Sequence, residues 1–213
     1  MSAITAKVKF TDLDIQAHDL SRQIWREAES LPLTKYWSGI DAAEGSHAEA
    51  RLLFNSEAFL VRFECKQSEP LIINDKPSLT QKTIGLWEKD VCEAFISPNP
   101  EIPEEYFEFE GAPTGEWVDL KIRQMPGKRE TDWDYASGMT CFGEINSDNI
   151  VIALRIPWPA FGKQPETGEK WRGNLMRCVG SGKDRGYLAW QPTFTPEPNF
   201  HVPQAFGWFE FIK

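Results

Sequence analysis

The sequence predicts an all-β fold, an antiparallel two-sheet β-sandwich of jelly-roll-like form with one short N-terminal helix. Three observations predict it. Apolar residues alternate with period two in many short runs, turn-forming residues punctuate those runs, and helical periodicity is confined to one segment near the start. Parallel crossovers would need connections of about a dozen residues or more, usually helical, and the pattern lacks them.

The elements follow in order. Lys7 to Phe10 reads as a short strand. Asp19 then caps a segment in which Leu20, Ile24, Trp25 and Ala28 fall on one helical face. From Ala50 to Phe54 the period becomes two, and Asn55-Ser56-Glu57 turns the chain. Phe59, Val61, Phe63 and Cys65 alternate with Leu60, Arg62 and Glu64, which completes a hairpin. Strands are predicted at Val91 to Ile96, Tyr106 to Glu110, Trp117 to Gln124, Met139 to Ile145 and Ile150 to Ile156. Ser97-Pro98-Asn99-Pro100, the Gly111 to Gly115 stretch, Asn146 to Asn149 and Pro157-Trp158-Pro159 supply the turn chemistry between them, with a further helical turn at Pro159 to Phe161. Trp171 to Val179, Tyr187 to Gln191 and Gly207 to Ile212 bring the count to about nine to eleven. Gly180-Ser181-Gly182-Lys183 lacks the spacing of a phosphate loop and reads as a hairpin turn. Loops 66–85 and 192–204 are long for a compact domain, as they are where a binding surface is built.

A chain of 213 residues can bury one sizeable core, so one domain over 1–213 is expected. A net charge of -9 argues against nucleic acid as a partner, because affinity for phosphate backbones needs clustered Lys and Arg. No run of about 18 apolar residues and no export-type apolar segment appears, which excludes a membrane-spanning helix and predicts a cytoplasmic chain, or a secreted or periplasmic one if a signal has been removed. Cys65, Cys92, Cys141 and Cys178 stand far apart without zinc-type spacing and read as free, mostly buried thiols.

Nine tryptophans exceed what a core of this size needs, since a buried indole N–H seeks a partner. In Leu86-Trp87-Glu88-Lys89-Asp90-Val91-Cys92-Glu93-Ala94-Phe95, strand alternation sets Glu93 between Val91 and Phe95 on one face. An unpaired buried carboxylate is costly, so Glu93 requires a partner or a ligand. Trp87 stands just ahead of that strand, at its rim. Trp25, Trp117, Trp158, Trp171 and Trp208 continue apolar faces or staple turns and are assigned to packing.

The segments "WEKDVCEAFISP", "EEYFEFEGAPTGEWVDL", "KWRGNLMRCVG", "LAWQPT" and "FHVPQAFGWFEF", in this order, resemble the family 9 carbohydrate-binding modules and their bacterial relatives, from about Trp25 to Ile212. The resemblance implies a non-catalytic β-sandwich that holds a mono- or oligosaccharide, often by its reducing end, between two tryptophans. It implies Trp87 as one wall, Trp190 as the other, and Glu93 as the hydroxyl acceptor. Lys121 and Arg123, sharing a strand face with Asp119, are candidates for a basic clamp. Asn174 and Arg177 either reach the site or brace a sheet. Aromatic rings pack on pyranose C–H faces and carboxylates accept charge-assisted bonds from hydroxyls, so the chemistry is coherent.

Two other functions compete. Glu104, Glu105, Glu108 and Glu110 invite a glycoside hydrolase using paired acids near Glu93 and Glu108, although alternating glutamates on one strand face are usually solvated. A protein-interaction domain with a decayed sugar site would instead leave Trp87 and Trp190 far apart or buried. No cofactor is expected. Glu130, Asp132 and Asp134 offer hard oxygen atoms to calcium but lack a calcium loop's spacing, and read as an acidic turn. His201 is expected to bond backbone rather than metal.

Overall fold

A computed structural model describes residues 4–213, so the first three residues of the predicted domain lie outside the described ones. The chain forms β1 (Thr5–Phe10), β2 (Leu31–Leu33), β3 (Lys35–Tyr36), β4 (Ala48–Phe54), β5 (Ala58–Lys66), β6 (Val91–Ser97) and β7 (Glu105–Gly111). It continues with β8 (Trp117–Met125), β9 (Lys128–Asp132), β10 (Thr140–Ile145), β11 (Asn149–Pro157), β12 (Lys170–Val179), β13 (Gly186–Ala189) and β14 (Gly207–Ile212). The all-β character holds. β2, β3 and β9 escape the sequence pattern because two are very short and the third is wholly polar.

The two-sheet arrangement is corrected. Among the described residues all fourteen strands join one curled sheet in the order β10-β11-β5-β4-β1-β14-β12-β6-β7-β8-β9, with β13 on β12, β3 on β13 and β2 on β4 as branches. The cause is β1, which runs parallel to both β14 and β4 and stitches the halves together, so the sheet is not purely antiparallel. Curling brings the halves face to face. A Cβ added to Gly111 of β7 would stand 2.6 Å from Leu154 of β11 and 2.7 Å from Cys141 Sγ of β10.

The inner face holds the main core, rich in aromatic rings: Trp171 meets Phe211 at 5.0 Å and Phe59 stacks on Phe209 at 6.1 Å. Each such side chain contributes about 1.5–3 kcal/mol on burial. On the other face, over β8, β7, β6 and β12, a second core is covered by connecting segments: Leu86, Phe200 and Phe206 close over Val91, Phe95, Tyr106 and Leu120. The long loops therefore roof the outer face of the sheet.

The predicted N-terminal α-helix is also corrected. Only a five-residue 3-10 helix, Gln23–Glu27, forms there. Asp19 cannot cap a longer helix because its carboxylate already accepts from Gln16 N at 2.8 Å and pairs with Arg22 Nε at 3.0 Å. Trp25 and Ala28 still bury themselves, against Leu53, Ala58 and Leu60. All four cysteines are free thiols, Cys65 and Cys92 lying Sγ to Sγ at 3.4 Å. Among the described residues no helix is long and apolar enough to cross a membrane.

Candidate functional site

Strand period and register assemble the floor of a cleft on the outer face. On β6, Val91, Glu93 and Phe95 point outward while Cys92, Ala94 and Ile96 enter the main core. Glu93 stands opposite Glu110 of β7 and Met176 of β12, and Glu108 stands between Phe95 and Leu120. Glu93, Glu108 and Glu110 thus gather, one carboxylate oxygen of each lying within 4.8 Å of the others. The expectation of a solvated glutamate face on β7 fails, because β6 and β8 flank the strand and loops cover it: Glu108 keeps 3% of its surface and Glu110 none.

Trp87 forms one wall. Gly85 adopts φ +87°, a conformation that costs glycine least, and turns the chain into a single 3-10 turn at Leu86–Glu88. Leu86 is fully buried and pins the turn to the second core. Arg185 braces it further, donating from Nη2 to the carbonyls of Trp87 at 2.5 Å and Lys89 at 2.9 Å, and from Nη1 to Gly180 O at 2.6 Å.

Beside Trp87 lies Trp133, just past edge strand β9, with ring centroids 6.3 Å apart and planes at 47°. At that distance the rings touch each other, so they form one angled platform rather than a slot. Trp133 remains 48% exposed. The cleft encloses about 460 Å³ and takes Asn199 and His201 from the 192–204 loop and Arg129 from β9. That volume is in the range of small-molecule sites.

The structure brings Trp87 and Glu93 together and separates the other predicted residues from them. Trp190 is 8% exposed and stacks on Phe209 at 5.7 Å in the main core, so the slot between Trp87 and Trp190 does not form. Alternation explains it: Leu188 and Trp190 turn inward while Ala189 faces the second core. Lys121 and Arg123 are corrected likewise. Leu120 and Ile122 of β8 line the cleft, so Lys121 and Arg123 project from the opposite face, where Arg123 Nε lies 3.4 Å from Glu105.

Asn174 is fully buried and braces the chain after β13, accepting from Gln191 N at 2.9 Å and donating to Gln191 O at 2.8 Å. The expected acidic turn is corrected: Glu130, paired with Lys128 at 2.7 Å, and Asp132 lie in edge strand β9, and only Trp133 and Asp134 bend away, with Asp132 accepting from Asp134 N at 3.1 Å. The residue missed is Trp133. Its signal was present, an indole among exposed acids with no apolar face to continue.

Burial dominates the electrostatics. It pushes the Glu93 carboxyl up to about 8, with help from Glu108 nearby. Burial also raises Glu108 and Glu110, the latter further through Glu93 and Glu108. His201 bonds a side chain rather than backbone, its Nδ1 2.8 Å from Tyr106 Oη. Its Nε2 lies 3.9 Å from Glu108 Oε2, and burial, reinforced by Arg129, holds the imidazole down at about 3.

An unfolded histidine titrates near 6.5, so between about 6.5 and 3 the unfolded chain binds the extra proton. Stability from this residue is therefore lost as pH falls through that window. At pH 5 the loss is about 2 kcal/mol. The buried glutamates add stability over the same window in both proteins, so the readout is the difference. Between pH 7 and pH 5, urea unfolding should show the stability of His201→Gln changing about 2 kcal/mol more favourably than that of the wild type, and identical changes would refute the assignment.

Comparison with known proteins bears on the family and the fold. A family model described as "Carbohydrate family 9 binding domain-like" matches residues 19–213. A protein of Arthroderma benhamiae described as an extracellular protein is 26% identical over 177 residues, covering 76% of this chain and 77% of that one. A candidate carbohydrate-binding protein from Bacteroides uniformis superposes with a TM-score of 0.77 at 18% identity, over 99% of this chain and 100% of the other. A family 9 carbohydrate-binding module from Caldicellulosiruptor kristjanssonii in complex with cellotriose gives a TM-score of 0.69 at 12% identity, covering 98% and 94%. The same organism's module in complex with glucose gives 0.69 at 14% identity, covering 98% and 95%.

Proposed function

Because the chain belongs to the carbohydrate family 9 binding domain-like family, we propose that it is a single non-catalytic module that binds a mono- or oligosaccharide in the cleft above Glu93. The angled platform of Trp87 and Trp133, open beside buried carboxylates, carries this reading. A pyranose lays its C–H face on the indoles, and its hydroxyls reach Glu93 and Glu108 below and Arg129, Asn199 and His201 at the sides. Trp133 takes the part that the resemblance gave to Trp190. The platform replaces a two-walled slot, so the sugar is stacked on one side and open on the other.

The paired-acid hydrolase reading finds less support. Here burial raises the carboxyls of Glu93, Glu108 and Glu110 together, instead of pushing one acid and one base apart as such a pair requires. The decayed-site reading meets the outcome expected of it at Trp190, which is buried away from Trp87; what favours a sugar over it is the pairing of Trp133, 48% exposed, with Trp87 over a cleft floored by carboxylates.

Each hydroxyl bond replaces a bond to water and nets only ~1 kcal/mol, which sets the affinity at micromolar or weaker. Titrating the protein with glucose and cellotriose, read by tryptophan fluorescence and calorimetry, is expected to give saturable binding of one sugar per chain. Silence towards these and a wider panel of neutral mono- and oligosaccharides would overturn the reading.

A further inference from the structure

Glu110 plays no part in the sugar reading. It is fully buried, no N–H or hydroxyl donor meets its carboxylate oxygens, and the side chain it faces is the carboxyl of Glu108, another acid. Glu108 Oε2 is in the same condition, and both residues point into the space that Glu93 shares. Buried ionisable groups are ordinarily paired or coordinate metals. Among the described residues the basic nitrogen within ion-pair reach of the three acids is His201 Nε2, on Glu108 alone. Arg185 is already committed to three backbone carbonyls.

Geometry favours one ion. Two oxygens on the same cation stand no further apart than twice the metal–oxygen distance, about 4.6–5.2 Å for calcium. The three glutamates meet that limit. They sit on adjacent central strands in fixed register, so the donors are held before any ion arrives. All three ligands are hard oxygen atoms, the set preferred by Ca²⁺ and its class. Cys178 Sγ, 3.3 Å from Glu93 Oε1, donates to that oxygen and leaves the set unchanged.

We propose that Glu93, Glu108 and Glu110 hold one hard divalent cation of the calcium class at the floor of the cleft. Glu93 and Glu108 line the cleft, so the ion enters without opening the core and keeps coordination positions on the open side. Binding displaces carboxyl protons into solvent. The inference stands apart from the sugar reading, because its readout needs no sugar.

The full chain, stripped with chelator, is titrated with Ca²⁺, Mg²⁺, Mn²⁺ and Zn²⁺ by calorimetry in buffers of differing ionisation enthalpy, and with Tb³⁺ by luminescence excited through tryptophan. One site per chain for Ca²⁺ or Mn²⁺, with proton release and a rise in melting temperature, is expected. Glu110→Gln should weaken it at least tenfold, and Glu108→Gln serves the same purpose if the first variant does not fold. No saturable binding of these ions at millimolar concentration, undiminished binding in both variants, or binding of Zn²⁺ alone that Cys178→Ser removes, would each overturn the proposal. Sugar binding without any metal site would refute this inference and leave the proposed function standing.

Discussion

Trp87→Ala is expected to weaken binding of glucose or cellotriose by about ten- to a hundredfold while the protein stays folded. The magnitude follows from the face lost. Covering a large aromatic side chain is worth about 1.5–3 kcal/mol, and each 1.4 kcal/mol is a factor of ten in affinity. Trp87 is half-buried and rests on the second core, so part of its surface serves packing and the rest is offered to the cleft. Trp133→Ala should lower affinity in the same direction with almost no change in melting temperature, because that ring is exposed beyond an edge strand. Calorimetric titration of both variants, beside thermal melts, separates the two contributions. An unaltered dissociation constant in both would exclude the aromatic platform as the binding surface.

Arg177→Ala should cost about 3–5 kcal/mol of folding stability. Arg177 lies on the inner face of β12 with none of its surface exposed. Its Nη1 donates to Ser46 O and Lys66 O at 2.7 Å each and to His47 O at 3.3 Å, and its Nη2 donates to Gln67 Oε1 at 2.6 Å. These acceptors stand at the start of β4 and the end of β5, so one guanidinium ties the two halves of the sheet across the core. Truncation leaves several buried carbonyls without donors as well as a cavity. Urea unfolding at pH 7 measures the difference; a loss under about 1 kcal/mol, the net worth of one ordinary hydrogen bond, would show that water satisfies those carbonyls.

Strand content was legible because period-two alternation survives in every long strand, and Trp87 with Glu93 was legible because the rim position and the trapped carboxylate both follow from local alternation. Trp190 and Lys121 were misplaced although the same rule applied to them. Leu188 and Trp190 share one parity and Leu120 and Ile122 another, but parity assigns a face only once it is known which face carries the cleft. Trp133 stood out only as an indole among exposed acids, and the strand that positions it, β9, has no apolar alternation to mark it. The burial of Glu108 and Glu110 had no local signal at all. A glutamate that alternates with phenylalanine looks solvated until distant segments, here around Leu86 and Phe200, are found lying over that face. The single curled sheet depended on a parallel seam between residues about two hundred positions apart, which no local pattern reports.

That seam also decides how the molecule bears tension. Thr5 pairs with Trp208 and Lys9 with Ile212, so β1 and β14 run side by side in the same direction. Force applied through the segment before β1 and the segment after β14 drags the two strands past each other along their length. The rungs between them are then loaded together in shear rather than peeled one at a time, and they must fail at once for the strands to slide. Pulled by its two ends, the chain would therefore meet its main resistance at this pair of strands.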